Sequence, residues 1–197
     1  MIAESLLEAK AMTVLLARRD VRELWEQPKA VWYVDHERVK RKHTFDLLAV
    51  FDDGCRVAYA VKPFWRVRRT RLDVEIELIR RQSLARIADK AVILTERQIS
   101  RARVYNAENV LRARRMRNEE DCARLLRIAS TIEGLVRVHD LLKAALDPGL
   151  ARTAFWCLID EGVLEPVARD SLHTRIGGHT YVRVNHDVLA AAQGDFR

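Results

Sequence analysis

Two runs of apolar, β-branched and aromatic residues, Thr44–Phe51 and Arg56–Val61, flank the triplet Asp52-Asp53-Gly54. An Asp-Gly step between such runs is a strong hairpin signal, because the turn needs a positive φ that glycine adopts without steric cost. Lys62-Pro63 closes the second strand, since proline has no N–H to give to a ladder. Alternation along Arg56–Lys62 puts Ala58, Ala60 and Lys62 on one side and Val57, Tyr59 and Val61 on the other. The rest of the chain must pack around this hairpin. Ser5–Arg19 reads as an amphipathic helix on Leu6, Leu7, Met12, Val14, Leu15 and Leu16, with Ser5 as N-cap and Glu8 three residues on. Ala30–Val34 reads as a further strand, Thr70–Ala88 as a helix on Leu72, Ile76, Ile79 and Leu84, and Ala91–Thr95 as a short buried strand. Ser100–Arg117 contains another helix. This order predicts an α/β sandwich with a mixed sheet over residues 1–117.

The character changes near Asn118. Cys122–Ser130, Leu135–Ala145 and Leu150–Glu161 each carry an apolar stripe, and Gly162-Val163-Leu164, a Gly177-Gly178 turn and the alternating Thr180–Val184 follow. Three helices and a small hairpin predict a winged-helix domain over residues 118–197.

The 197 residues carry a net charge of +7, distributed very unevenly. Residues 1–55 sum to −1 and residues 118–197 to −3, whereas residues 56–117 hold 17 basic and 6 acidic side chains, a net of +11. Most of that excess is arginine, whose planar fork matches phosphate, so the middle of the chain favours a polyanionic partner. The acidic C-terminal part favours docking to protein over duplex binding. With 49% hydrophobic and 32% charged residues the chain is of globular composition. No apolar run approaches the roughly 20 residues of a membrane span, and Glu4 and Glu8 break up any signal peptide, so a soluble, cytoplasmic protein is expected. Cys55, Cys122 and Cys157 lack metal-ligand or disulfide spacing and read as small apolar residues. The six histidines show no zinc spacing, and no glycine loop is present to cradle a nucleotide phosphate.

The chemistry-bearing stretch is His43–Pro63. It sets Asp46 on the first strand of the hairpin and Lys62 at the end of the second. A carboxylate and an ammonium at neighbouring strand ends can hold a divalent cation and stabilise charge developing on a phosphate. Lys40, Arg41 and Lys42 lead into this stretch, and Arg66, Arg68, Arg69 and Arg71 leave it beside Trp65. These seven cations are the candidate contacts to a phosphate-bearing partner.

Three pieces of sequence carry a resemblance. They are S-L-L-E at Ser5–Glu8, V-R-E-L-W-E-Q-P at Val21–Pro28, and H-T-F-D at His43–Asp46 followed by A-V-K-P at Ala60–Pro63. In this order they resemble the TnsA-type endonuclease subunit of heteromeric (TnsA/TnsB/TnsC) DNA transposases, a branch of the PD-(D/E)xK nuclease superfamily. The resemblance covers nearly the whole chain, winged helix included. It implies a PD-(D/E)xK restriction-endonuclease-like core with a mixed sheet, followed by an α-rich winged-helix domain for partner docking. It implies Mg²⁺, with Mn²⁺ as substitute, held by Glu8 and Asp46, with Lys62 completing the catalytic set. The implied activity is a cut on the 5′ side of transposon ends. The implied partners are double-stranded DNA at those ends, a TnsB-like transposase and a TnsC-like ATPase regulator, with no membrane.

Two positions depart from the family. Phe45 stands where proline usually precedes the motif aspartate. Ala60 stands where the family has Glu or Gln, and a methyl group cannot ligate Mg²⁺. Three accounts of Ala60 remain: an engineered substitution, a naturally inactive subunit acting as a DNA-binding and assembly scaffold, or an acid supplied from elsewhere. Glu75 and Glu77 are the nearest candidates for that acid.

Overall fold

The computed structural model describes residues 2–145, 147–167, 170 and 173–194, and they belong to two compact units, Met1–Ser100 and Arg101–Arg197. The first unit opens with helix α1 (Ile2–Leu16), followed by strands β1 (Val21–Glu26), β2 (Val31–Val34), β3 (Lys40–His43), β4 (Leu47–Phe51) and β5 (Arg56–Val61). Helices α2 (Phe64–Thr70) and α3 (Leu72–Gln82) then lead to strand β6 (Lys90–Leu94). The main sheet has the order β1-β4-β5-β6, antiparallel except for the parallel β5–β6 pair. This is a mixed sheet in an α/β unit.

The expected hairpin forms as β4–β5. Gly54 takes φ +81°, and the Asp53 carboxylate accepts the Cys55 N–H at 2.8 Å. A Cβ at position 54 would meet nothing within 4 Å, so the backbone angle and not crowding requires glycine there. Strand β5 is central and is buried from Val57 to Val61. Its Ala58 and Ala60 lie in a core cluster with Val31, Tyr33, Phe45, and Leu72, Ile76 and Ile79 of α3. Helix α1 packs on β1 and β5 through a stripe of buried Leu7, Ala11, Val14 and Leu15.

Several expectations shift. Helix α1 starts at Ile2, so Ser5 is inside the helix and does not cap it. Val21–Glu26, to which the sequence pattern assigns no element, is strand β1. Lys40–His43 is also a strand, formed by turn chemistry and not by apolar patterning. Asp35 Oδ1 accepts the N–H groups of Glu37 and Val39, both at 2.9 Å, and folds β3 back on β2. The Gln82 amide then bonds both the N–H and the C=O of Val34, at 2.8 and 2.9 Å, holding β2 to the end of α3. The expected helix Thr70–Ala88 is broken at Arg71, which has φ +52° and donates its N–H to Val67 O.

In the second unit α4 (Arg101–Arg115), α5 (Glu119–Ala129), β7 (Leu135–Arg137), α6 (Val138–Lys143), α7 (Pro148–Asp160), β8 (Leu164–Val167), β9 (Tyr181–Val184) and α8 (His186–Gly194) follow in order. The three strands make a sheet ordered β7-β9-β8. The division falls at Ser100, ahead of α4, and not after Arg117 as the sequence suggests. Helix α4 packs on α7 and buries Val104, Ala107, Val110 and Ala113. Cys122 and Cys157 are buried, and Cys55 is partly so. Among the described residues no helix is long and apolar enough to cross a membrane.

Candidate active site

Three residues far apart in sequence meet at the end of β5. Asp46 enters from the start of β4, where its N–H bonds Tyr59 O at 2.9 Å and its C=O accepts from Gln27 N at 2.9 Å. These two backbone bonds fix the direction of its side chain. Asp46 Oδ2 accepts the Val61 N–H at 2.7 Å, and Lys62 Nζ lies 3.1 Å from Oδ1 and 3.3 Å from Oδ2. Glu8, one turn and a half into α1, brings Oε1 to 3.5 Å from the same Nζ. All three side chains are partly open to solvent. Lys62 is anchored by its own N–H, which donates to Leu94 O at 3.0 Å. Glu8, Asp46 and Lys62, the three expected catalytic residues, are therefore in one place.

The donor set decides what fits there. Two carboxylates converging on a single cationic centre suit Mg²⁺ or Mn²⁺, which commonly takes one or two protein carboxylates and completes its shell with water. Among the described residues no three His, Cys, Asp or Glu side chains come together as a metal-holding group. Position 60 adds nothing, because Ala60 is 1% exposed within the cluster under α3.

Neither expected substitute acid completes the pair. Glu77 is tied to Arg80 at 3.3 Å and Arg81 at 2.9 Å on its own helix. Glu75 Oε1 lies 2.9 Å from His43 Nδ1. The His43 hydrogen bond holds the Glu75 carboxyl below its usual range against the opposing effect of burial. A carboxylate has no proton to give, so His43 Nδ1 donates. Burial, reinforced by Glu75, pushes the Tyr33 phenol up to about 12. His43 Nε2 is buried and has no hydrogen-bond partner among the described residues. Sequence reasoning missed this Glu75–His43 pair, because no local pattern links residues from separate elements.

The candidate DNA contacts divide. Arg66, Arg68, Arg69 and Arg71 are all exposed and belong to or cap α2. Arg69 lies 5.7 Å from the centre of the exposed Trp65 ring. Lys40 and Lys42 are exposed on β3, whereas Arg41 is paired with Asp35 at 2.8 Å.

No protein-family model matches the chain, and no curated protein matches it.

Proposed function

We propose that the chain is the DNA endonuclease subunit of a heteromeric transposase, similar to TnsA, cutting on the 5′ side of transposon ends with Mg²⁺. The convergence of Glu8 and Asp46 on Lys62 Nζ carries this reading. Glu8 and Asp46 would hold the cation, which supplies Lewis-acid stabilisation of the scissile phosphate. Lys62 orients the attacking water and offers its ammonium to the charge that develops on the phosphate oxygens. Arg66, Arg68, Arg69 and Arg71, on the helix that directly follows Lys62, hold the DNA backbone beside the cut. The mixed sheet with α1 and α3 packed on it supports a PD-(D/E)xK core. In the second unit the order α5, β7, α6, α7, β8, β9 with sheet order β7-β9-β8 supports a winged helix. A pocket of about 220 Å³ lined by Tyr105, Leu142, Phe155 and Trp156, with Lys143 and Arg152, offers a docking surface there for a TnsC-like ATPase. A TnsB-like transposase would cut the other strand.

One observation favours a second reading, a catalytically dead subunit that binds DNA and scaffolds assembly. Ala60 is packed in the core, and its methyl leaves the cation one ligand short. Ala60→Glu separates the two. With partner subunits present, Mg²⁺- or Mn²⁺-dependent nicking of element-end DNA by the wild type, lost in Lys62→Ala, supports the active subunit. Wild-type inactivity together with gain of nicking in Ala60→Glu supports a scaffold derived from it. No nicking by either protein overturns the endonuclease reading.

A further inference from the structure

Trp32 is half-exposed on the two-stranded β2–β3 ribbon. Strand β2 alternates, with Val31 and Tyr33 buried and Trp32 and Val34 facing out. Register places Lys42 opposite Trp32 and Lys40 opposite Val34, so both lysines share the outward face with the indole. Lys40 Nζ stands 5.0 Å from the centre of the Trp32 ring. Arg41 lies opposite Tyr33 and is held by Asp35, which leaves the two lysines as the cations of this face. The ribbon is fixed at one end by the Asp35 turn and along β2 by the Gln82 amide. The backbone that carries the ring is thus fixed before anything binds, and Lys40 Nζ sits over the ring.

We infer that the outward face of β2–β3 is a stacking platform for an unpaired nucleobase, with Trp32 as the ring and Lys40 and Lys42 as contacts to the adjoining phosphates. This rests on the DNA reading above. A flat aromatic flanked by cations recognises a base π-face and its backbone charge together, without needing a particular sequence. A paired duplex keeps its base faces stacked inside, so a frayed or single-stranded nucleotide is the species that offers one. The nearby carboxylate Asp35 is spent on the turn and on Arg41, so it does not oppose the phosphate charge.

The test measures binding of the full chain to a short blunt duplex and to the same duplex with a single-stranded tail, as a function of salt. Trp32→Ala weakens tailed-duplex binding about tenfold or more while blunt-duplex binding stays within about twofold, and Trp32→Phe keeps most of the preference. Because no charge is removed, the Trp32→Ala salt slope matches wild type, whereas Lys40→Gln with Lys42→Gln lowers it by about 1 to 2. Trp32→Ala binding the tailed duplex as wild type does, or losing both duplexes equally, overturns the platform and leaves the nuclease reading standing. A Trp32→Ala variant altered only in self-association or partner-protein binding overturns the platform too. Wild type binding neither DNA overturns both readings.

Discussion

The arginines on α2 and the pair Arg114 and Arg117 at the end of α4 are used in opposite ways. At the end of α4, Arg114 grips both Asp160 oxygens at 2.7 Å, and Arg117, just beyond, is bonded to Glu119 and Glu161. These carboxylates hold both guanidiniums above their already high usual range. Their charge is neutralised within the second unit and ties α4 to α5 and α7. On α2 and its cap, Arg68, Arg69 and Arg71 are exposed, and among the described residues no ion pair holds them. The sequence sum of +11 over residues 56–117 counts both kinds alike. Divided at Ser100, the net charges are +5 for the first unit and +2 for the second. Charge density along a chain indicates a polyanion only where the fold leaves the cations without carboxylates.

Removing both kinds of arginine in turn tests this contrast. The largest effect belongs to α2. Arg68→Ala with Arg69→Ala lowers DNA affinity about ten- to a hundredfold and the log–log salt slope by about 2, with thermal stability unchanged, as read by fluorescence anisotropy across a salt series. Arg114→Ala does the reverse, costing about 1–2 kcal/mol of unfolding free energy in a denaturant titration and leaving the salt slope alone. If Arg114→Ala weakens DNA binding as much as the α2 pair does, the contrast fails.

A carboxylate on α3 extends the comparison to pH. Glu75 has its carboxyl lowered by His43, so its contribution to stability is fully present above its ordinary value of 4.5 and is lost as pH falls through the lower folded value. Unfolding followed from pH 7 down to acid should show this loss in the wild type and a flatter profile in Glu75→Gln. A matching profile in the variant would mean that Glu75 is not held by His43 in solution. The smallest effect concerns Arg71, a charged residue in a left-handed conformation. Arg71→Gly relieves that backbone and changes stability by less than about 1 kcal/mol, while the salt slope falls by about 1. That result would separate the residue's charge from its conformation.

Legibility in the sequence follows the range of the signal. Strand β5 is readable to the residue, Arg56–Val61, because apolar runs, the Asp-Gly turn and Pro63 all act locally. Asp46 and Lys62 are readable from that hairpin, while Glu8 comes only through the resemblance, since nothing in α1 itself distinguishes it from a capping acid. Strand β3 is hidden because Lys40, Arg41 and Lys42 show no apolar alternation, and Asp35 makes the turn that folds them back. The break at Arg71 has neither proline nor glycine to mark it. The pairing of His43 with Glu75 and that of Arg114 with Asp160 depend on tertiary contacts that no window of sequence contains. For that reason Arg114 is indistinguishable in sequence from the arginines of α2.

On the proposed function, Glu8 and Asp46 make a divalent-cation site around Lys62. Its most direct test is Mn²⁺ binding to the isolated chain by titration calorimetry. The account predicts saturable binding that Asp46→Asn weakens about tenfold or more and Glu75→Gln leaves unchanged. Absence of saturable binding in the wild type, or equal binding by Asp46→Asn, would contradict it.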